Sequence, residues 1–359
     1  MKRILFLQQQ PCVRALKYAV GLRQARPDWR LGFAFQGKTL TQWYGSGDEL
    51  FERWWDLGEE PARLLRRAIA EFRPDLIHSH NLPDALTVLA HELTDGAVPV
   101  VHDVHDLQSL RKTPYEHGFP EPDDPLALEK RAIEESAAVV AVSDELLETI
   151  AARYHLPPRT LVFPNYALLR DLPRLRGVAR VRNGDAPRLV YQGTLATNGG
   201  HYDLREIFAA LVAAGAVLDL FPSREVAEYR ELAARLPGLA YHDTVEPALL
   251  LRLLRRYDFG WAGFNATLNG PHVDTALPNK VFEYIGCGVP VLTLAHRALV
   301  RLVREKGVGI ALAAPADLGR ELARHDLDAL RRATADARGD MTIEANIGAV
   351  GELYESVAR

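Results

Sequence analysis

Short apolar runs alternate with longer amphipathic runs along most of the chain. The first half begins with RILFL (3–7), which has the length and character of a buried strand, and continues with a helical pattern over 12–25. Two later strands, PDLIHSH (74–80) and VPVVHDVHD (98–106), end in histidines, and the series closes with RTLVFPN (159–165). Alternation of strands and helices predicts a parallel sheet covered by helices on both faces.

A second alternating series follows a polar, basic segment, RDLPRLRGVARVRNGDAP (170–187), which lacks an apolar period and predicts a domain linker. The strands predicted in this series are 188–192, 216–221, 239–242, 257–262, 289–294 and 308–312. We therefore predict an α/β protein of two doubly wound domains, 1–168 and 186–338, facing a central cleft. Sheets of this kind bind ligands at the carboxyl ends of their strands.

Composition and charge exclude several classes of protein. The 359 residues carry a net charge of −4, whereas nucleic-acid binders usually have a basic excess, so we expect no nucleic-acid partner. Cys12 and Cys287 are too few and too far apart for a disulfide framework, which favours a reducing, cytoplasmic compartment. The N-terminal apolar run is too short for a signal peptide, and no stretch approaches the roughly eighteen apolar residues of a membrane span.

The segment TALPNKVFEYIGCGVPVLTL (275–294) combines residue types that suit a nucleotide. Pro278 can begin a helix whose first N–H groups, together with the ammonium of Lys280, would attract a phosphate. Glu283 lies on the same helical face, and its carboxylate can accept hydrogen bonds from both hydroxyls of a ribose. Spacing alone is explained equally well by a Lys–Glu ion pair on a solvated helix, so both interpretations stay open at this point.

Six segments resemble, in the same order, the nucleotide-sugar-dependent glycosyltransferases of the GT-B fold, in particular the family 4-like group. They are RPDLIHSHN (73–81), VVHDVHDL (100–107), EKRAIEESAAVVAVSDELLETI (129–150), LVYQGTL (189–195), RYDFGWAGF (256–264) and LPNKVFEYIGCGVPVL (277–292). The resemblance implies two Rossmann-like domains, an acceptor-side domain at 1–168 and a donor domain at 186–338. It also implies that the final helix, 342–358, packs back on the first domain.

The same resemblance implies an enzyme that moves a sugar, hexosyl or related, from a UDP-, GDP- or similar nucleotide sugar to an acceptor. It implies retention at the anomeric carbon. The lack of a metal-binding motif at the phosphate turn suggests catalysis without a metal, and we expect no cofactor. The acceptor class stays open among a saccharide, a lipid-linked molecule and a small molecule. A peripheral position at the inner membrane face also stays open, because many relatives use lipid or envelope acceptors.

The resemblance assigns donor-binding roles to the second domain. Glu283 corresponds to the carboxylate that binds the donor ribose, and Lys280 corresponds to a basic position near the phosphates. The other donor-binding residues are Leu277, Pro278 and Asn279 in the turn before the helix, Gly193 and Thr194 in the glycine turn, and Asn198 beyond it.

In the first domain the resemblance assigns catalytic positions to His102, as the histidine that faces the transferred sugar, and to Asp103. It places Gln10, His80 and Asn81 on the acceptor side. From the residues alone, His102 could instead cap its strand end and Asp103 could hold the following loop.

Three positions depart from the family pattern. Many relatives carry Arg and Lys after the glycine turn, whereas GTLATNGGHYD (193–203) has neither, so neutral donors such as Asn198 would have to substitute. Thr275 stands where many relatives have a second glutamate, which leaves the sugar contacts open. QQQPCVR (8–14) replaces the usual glycine-rich loop, so we expect unusual acceptor recognition there.

Two alternative functions stay open. The missing cations could mark a non-catalytic, nucleotide-sugar-binding partner subunit. The histidines His78, His80 and His102 could instead bind a metal, as in a metal-dependent hydrolase.

Aromatic residues also cluster at 44–55, where they could stack on a sugar or an apolar acceptor, or pack in the core. They are Tyr44, Phe51, Trp54 and Trp55.

Overall fold

A computed structural model describes residues 2–112, 123–175 and 186–358, and these residues form two compact units. Unit 1 comprises residues up to 110, then 123–164, and the C-terminal helix from 343 onward. Unit 2 comprises 111–112 and the described residues from 165 to 342. The chain therefore changes unit at 164/165, slightly before the predicted end of the first domain at 168. Residues 176–185 of the predicted linker lie outside the described residues.

Unit 1 is built on a parallel sheet whose described strands are buried, mostly apolar runs. They are β1 (Arg3–Gln8), β2 (Arg30–Phe35), β3 (Arg53–Asp56), β4 (Leu76–His80), β5 (Val100–Val104), β6 (Ala138–Ala141) and β7 (Thr160–Val162). Their order in the sheet is β3-β2-β1-β4-β5-β6-β7, with every pair parallel. The helices that precede unit 2 are α1 (Val13–Ala25), α2 (Leu40–Tyr44), α3 (Pro61–Phe72), α4 (Ala85–Thr94), α5 (Pro125–Glu134) and α6 (Asp144–Ala151).

Unit 2 contains a second parallel sheet. Its described strands are β8 (Arg188–Gly193), β9 (Val217–Pro222), β10 (Leu239–Tyr241), β11 (Phe259–Trp261), β12 (Val291–Leu294) and β13 (Gly309–Leu312). Their order is β10-β9-β8-β11-β12-β13. The helices are α7 (Arg205–Ala213), α8 (Ala227–Arg235), α9 (Pro247–Leu254), α10 (Gly270–Val273), α11 (Asn279–Gly286), α12 (Arg297–Lys306), α13 (Leu318–Ala323) and α14 (Leu327–Ala337).

The last helix, α15 (Ile343–Val357), belongs to unit 1 and packs against α1. The contact is close because α1 carries Gly21, where an added Cβ would lie 2.6 Å from Ile343 Cγ2. The ring of Tyr354 stacks on Trp29 with centroids 6.0 Å apart. The hydrophobic face of α15 thus completes the core of unit 1 on the side of α1.

Each sheet reverses its strand order at one point, between β1 and β4 in unit 1 and between β8 and β11 in unit 2. Crevices form at the carboxyl ends of the strands at such points, because the flanking connections leave in opposite directions. The prediction of two doubly wound parallel sheets is confirmed. It also follows that ligand-binding groups are expected at the ends of these four strands.

The aromatic cluster at 44–55 divides between core and surface. Phe51 and Trp55 are buried, and Trp54 stacks on Phe33 of β2 with centroids 4.7 Å apart. Tyr44 is exposed. The aromatic strand β3, which the sequence pattern did not predict, therefore serves mainly core packing.

Among the described residues, no helix has both the length and the apolar character needed to cross a membrane. The amphipathic helix α3 carries arginines, but Arg63 and Arg67 are paired with Glu60 and Glu71.

Candidate active site

In unit 2, strand β8 ends at Gly193, beside the point where the strand order reverses. Gly193 has a φ of +116°, a conformation that side chains rarely adopt. A Cβ there would lie 3.5 Å from the ammonium nitrogen of Lys280, so the glycine keeps the backbone open beside that charge. The end of β8 therefore combines a half-buried backbone turn with a nearby cation.

Lys280 lies in the first turn of α11, which begins after Pro278 in extended conformation. Its side chain is almost completely buried, at 8% exposure, so it does not form the solvated ion pair of the alternative interpretation. The ammonium nitrogen sits 3.9 Å from the centroid of the Tyr191 ring. Burial lowers the pKa of Lys280 from 10.5 to about 7, and Glu283 only partly opposes this shift.

Glu283 follows one turn later, and its carboxylate oxygen Oε2 accepts a hydrogen bond of 2.5 Å from Gln192 Nε2. Gln192 precedes Gly193 in β8, so both charged residues of α11 lie at the same strand end. The register between α11 and β8 is fixed by Tyr284, whose hydroxyl oxygen accepts from the backbone N–H of Gln192 at 3.2 Å. The Tyr284 ring fits only because Gly260 has no Cβ, which would lie 2.2 Å from Tyr284 Cγ.

The other predicted donor residues have mainly structural contacts. The carbonyl of Thr194 accepts from the Tyr191 hydroxyl, and the carbonyl of Leu277 accepts from Asn165 Nδ2 at 2.9 Å. Asn198 Oδ1 accepts from the backbone N–H of Gly200 at 3.0 Å, which closes the loop after the glycine turn. Asn279 is the first residue of α11.

The departures from the family pattern also have structural explanations. Arg205, the first cation after the glycine turn, pairs with Asp203 at 2.7 Å, so its charge is neutralised within the loop. Thr275 is buried, and its hydroxyl donates to the carbonyl of His272 at 2.9 Å. Lys280 is therefore the cation that the structure places beside Gly193.

Unit 1 contains a buried polar network on the side of its sheet that faces α1. Both oxygens of Asp103 accept from Arg14, at 3.0 Å from Nε to Oδ2 and 3.0 Å from Nη2 to Oδ1. Arg14 Nη2 also donates to the carbonyl of Phe163 at 2.7 Å. Burial alone would raise the pKa of Asp103, but the guanidinium of Arg14 holds it well below its usual value. Asp103 is thus a buried, ionised carboxylate.

The network continues through three histidines. His78 Nε2 lies 3.2 Å from Asp103 Oδ2, and its Nδ1 is hydrogen-bonded to the hydroxyl of Tyr354. His80 Nδ1 lies 3.6 Å from Asp103 Oδ2 and 3.1 Å from His105 Nε2. A chain of contacts therefore runs from the buried carboxylate through His80 to His105.

His105 is the partly exposed member of this network, with its side chain 20% exposed. It follows the carboxyl end of β5, and its backbone N–H donates to Asn81 Oδ1 at 2.8 Å. Burial lowers the pKa of His105 to about 4, although Asp103 opposes the shift, so the ring is neutral at physiological pH. Asn81 in turn donates to the carbonyl of Asp106, which fixes the loop that carries His105. His80 and Asn81 thus position this loop.

His102 lies on the opposite face of the sheet, under α4, and is buried. Its Nδ1 is 3.1 Å from Thr87 Oγ1, and its Nε2 is 3.2 Å from Asp84 Oδ1. Within the described part of the chain, only Nδ1 of His102 forms a hydrogen bond here, because Asp84 Oδ1 has no hydrogen-bond partner, and the contact of His102 with the transferred sugar stays a prediction. Asp103 is likewise buried, and its catalytic role stays a prediction.

The predicted metal triad does not assemble, because the sheet separates His102 from His78 and His80. Their face instead brings His78, His80 and Asp103 together, with potential ligand atoms within 4.8 Å of one another. Both oxygens of that carboxylate already accept from Arg14, whose positive charge would repel a metal cation. The arrangement is that of a charge-compensated core network.

Gln10, the predicted acceptor-side residue after β1, is half-buried, and its Nε2 donates to the carbonyl of Lys38 at 3.1 Å. It thereby ties the loop after β1 to the loop after β2.

Comparisons with known proteins agree with this architecture. Residues 46–166 match Glycosyltransferase Family 4, and no curated protein sequence matches the chain. Solved structures match at fold level over nearly the whole length. Sucrose-phosphate synthase from Thermosynechococcus elongatus has 15% identity and a TM-score of 0.72, with 99% of each chain covered. A glycosyltransferase from Rickettsia africae has 12% identity and a TM-score of 0.69, with 99% of each chain covered.

A third similar structure is Anabaena HepE in complex with UDP, with 15% identity and a TM-score of 0.67. The alignment covers 99% of this chain and 100% of the HepE chain. These findings confirm the predicted GT-B fold, and the resemblance to family 4 is borne out over residues 46–166.

Proposed function

We propose that this chain, which has the GT-B fold, is a family 4-like glycosyltransferase that transfers a sugar from a nucleoside-diphosphate donor to an acceptor. The observation that carries the proposal is the convergence of three groups at the end of β8. These are the open backbone of Gly193, the buried ammonium of Lys280 and the carboxylate of Glu283. A diphosphate needs close backbone approach and a cation, and a ribose needs an acceptor for its hydroxyls.

The reaction breaks the bond between the anomeric carbon and the diphosphate oxygen. Negative charge grows on the leaving diphosphate while the sugar gains oxocarbenium character. Lys280 would stabilise that charge from a buried position, where electrostatic stabilisation is strong. We propose retention at the anomeric carbon without a metal, with the leaving diphosphate accepting the proton of the attacking hydroxyl.

The nucleotide most worth testing first is UDP. HepE was solved with UDP and with UDP-glucose, and a further similar structure, named trehalose-6-phosphate from E. coli, was solved with UDP-2-fluoro glucose. The base is otherwise open, and GDP- and ADP-sugars belong in the same assay. The test is release of free nucleoside diphosphate from each donor, with and without chelator. Binding of a nucleotide without release under every acceptor tried would favour the non-catalytic alternative.

Glu283→Ala is expected to weaken UDP binding by about 1–3 kcal/mol, roughly five- to 150-fold, because charge-assisted hydrogen bonds to the ribose are lost. Calorimetry with UDP measures this directly. Glu305→Ala is the matched control, since Glu305 forms an exposed pair with Arg301 on α12 of the same unit. Equal affinity of Glu283→Ala and the control for UDP would remove Glu283 from the site.

We further propose that His105, rather than His102, contacts a sugar hydroxyl during transfer. His105 is the partly exposed, neutral imidazole at the carboxyl end of β5, and Asn81 and His80 fix its position. Because its pKa is about 4, it would act as a neutral hydrogen-bonding group and not as a cation at pH 7.

His105→Ala is expected to lower kcat by about tenfold to a hundredfold while leaving UDP affinity unchanged. His102→Ala is expected to lower thermal stability, because it leaves a cavity and unpaired groups under α4, with a smaller effect on kcat of the folded fraction. Steady-state kinetics and melting curves of both variants measure the contrast. The reverse pattern would return the substrate-facing role to His102.

A further inference from the structure

Unit 1 holds two large aromatic rings that are about half exposed. Trp43 is 50% exposed and Tyr44 is 48% exposed, and both lie on α2. This helix belongs to the loop after β2, the strand next to β1 at the point where the strand order reverses. Phe51 and Trp55 supply the core packing nearby, which leaves the Trp43 ring in solvent. Burial raises the pKa of the Tyr44 hydroxyl, which interacts with the backbone of Val13, so only part of the Tyr44 ring faces solvent.

The short helix that carries the rings is held rigidly. Thr39 and Gln42 form a reciprocal capping box at its start, and Gly45 ends it with a φ of +80°. Thr41 and Asp48 add a reciprocal pair of hydrogen bonds, at 3.0 Å and 3.2 Å, that close the following loop. A five-residue helix would not persist alone, so these bonds hold the backbone that carries the two rings.

A cation accompanies the rings. The ammonium nitrogen of Lys38 lies 5.0 Å from the centroid of the Trp43 ring. Among the described residues, no carboxylate lies within ion-pair distance of Lys38, so its charge is not compensated. The carbonyl of Lys38 accepts from Gln10 Nε2, which fixes this segment to the loop after β1.

We propose that Trp43, Tyr44 and Lys38 form a binding subsite for a saccharide acceptor that carries an anionic group. The rings offer flat apolar surface to the C–H face of a pyranose, and Lys38 supplies the counter-charge for a carboxylate or phosphate beside that ring. This inference deepens the proposed function, because it names the acceptor class for the transfer reaction. The segment QQQPCVR, which replaces the usual glycine-rich loop, would then help to hold Lys38 in place through Gln10.

A membrane surface is the competing occupant, since Trp and Tyr also favour lipid interfaces. Membrane-binding helices combine an extended apolar face with a strongly basic polar face. The helix α2 has only five residues, and its other solvent-facing positions, Thr41 and Gln42, are uncharged. The small, rigid and singly charged surface therefore favours a saccharide.

The test is binding of two defined probes to the full chain, trigalacturonate as the acidic saccharide and maltotriose as the neutral one. Saturation-transfer NMR and calorimetry measure both. Trp43→Ala is expected to weaken trigalacturonate binding about tenfold, and Lys38→Gln is expected to weaken trigalacturonate but not maltotriose. Leu249→Ala is the control, because Leu249 is 52% exposed in unit 2 and is expected to change neither. All these side chains are exposed, so melting curves should match the wild type.

The subsite would be overturned if the wild-type chain bound neither saccharide, or if Trp43→Ala bound trigalacturonate as tightly as the wild type. Binding to phosphatidylglycerol vesicles that depends on Trp43, without saccharide binding, would also overturn it. UDP binding is measured on the same samples and separates the two proposals. A chain that binds trigalacturonate through Trp43 but no nucleotide would refute the donor site alone. A chain that releases UDP from UDP-glucose while Trp43→Ala keeps its saccharide affinity would refute the subsite alone.

Discussion

A Lys280→Met variant is expected to unfold at a higher temperature than the wild type while losing most of its affinity for a nucleoside diphosphate. Lys280 is buried, and its pKa falls from 10.5 to about 7, so the folded protein disfavours the charged form. Each unit by which burial lowers the pKa corresponds to about 1.4 kcal/mol of penalty on the charged form, and an apolar side chain of similar length removes that penalty. For units of this size, each kcal/mol gained in the free energy of unfolding raises Tm by roughly 2–4 °C.

The pH dependence of this gain has a definite sign. Below about pH 7, Lys280 is charged in both folded and unfolded chains, so the wild type bears the full penalty. As the pH rises from about 7 towards 10.5, the folded chain releases the proton first and the penalty shrinks. The stability advantage of Lys280→Met should therefore be largest at pH 6.5 and smaller at pH 9. Differential scanning calorimetry at both values measures it.

Ligand binding should show the complementary pattern. A diphosphate binds the ammonium form, so wild-type affinity for UDP-glucose should fall by up to about tenfold per unit as the pH rises above about 7. Tyr191, which faces Lys280, has its pKa raised by burial and stays neutral throughout. Lys280→Met should bind at least tenfold more weakly at pH 6.5 and show a flat profile. Wild-type affinity in the variant, or a less stable variant, would contradict this account of the site.

Most of the fold could be predicted from the pattern of apolar residues because a parallel strand buried on both faces has a continuous apolar run, as in β1 and β12. The strand β3 could not, because RWWD is short, bears charges at both ends and lies at the sheet edge. Its place depends on pairing with β2, where Trp54 contacts Phe33. That information is not local to the segment.

The donor site also has a part that the sequence could predict and a part that it could not. Lys280 and Glu283 could be found because a single helix presents both at fixed spacing. Their contacts with Tyr191 and Gln192 could not be found, because they depend on how Tyr284 docks α11 on β8. The burial that lowers the pKa of Lys280 arises from that docking, so the local sequence pattern gave no sign of it.

The histidines show where a sequence pattern can mislead. In VVHDVHD, neighbouring residues of β5 point to opposite faces, so His102 and Asp103 cannot share one environment. The choice between His102 and His105 depends on which face α4 covers, and the sequence of β5 does not contain that information. The buried position of Arg14 could not be predicted either, because an arginine within an amphipathic helix is usually exposed.

Arg14→Met is expected to destabilise unit 1 by about 3–5 kcal/mol, because it leaves the buried carboxylate of Asp103 without its counter-charge. The loss relative to wild type should shrink as the pH falls. In the wild type the pKa of Asp103 is held low, so its stabilising effect is lost only in strong acid. In the variant, burial acts unopposed and raises that pKa, so protonation relieves the unpaired charge on mild acidification.

Hydrogen exchange by mass spectrometry over peptides covering β4 and β5 measures unit 1 separately from unit 2. The double variant Arg14→Met/Asp103→Leu is the matched control, and it should recover much of the lost stability because no buried charge remains. UDP affinity should stay unchanged in all three proteins, since the donor residues lie in unit 2. The single variant should also lower kcat, because Asp103 supports His80 and hence His105. A double variant no more stable than Arg14→Met would show that the loss does not come from the unpaired charge of Asp103.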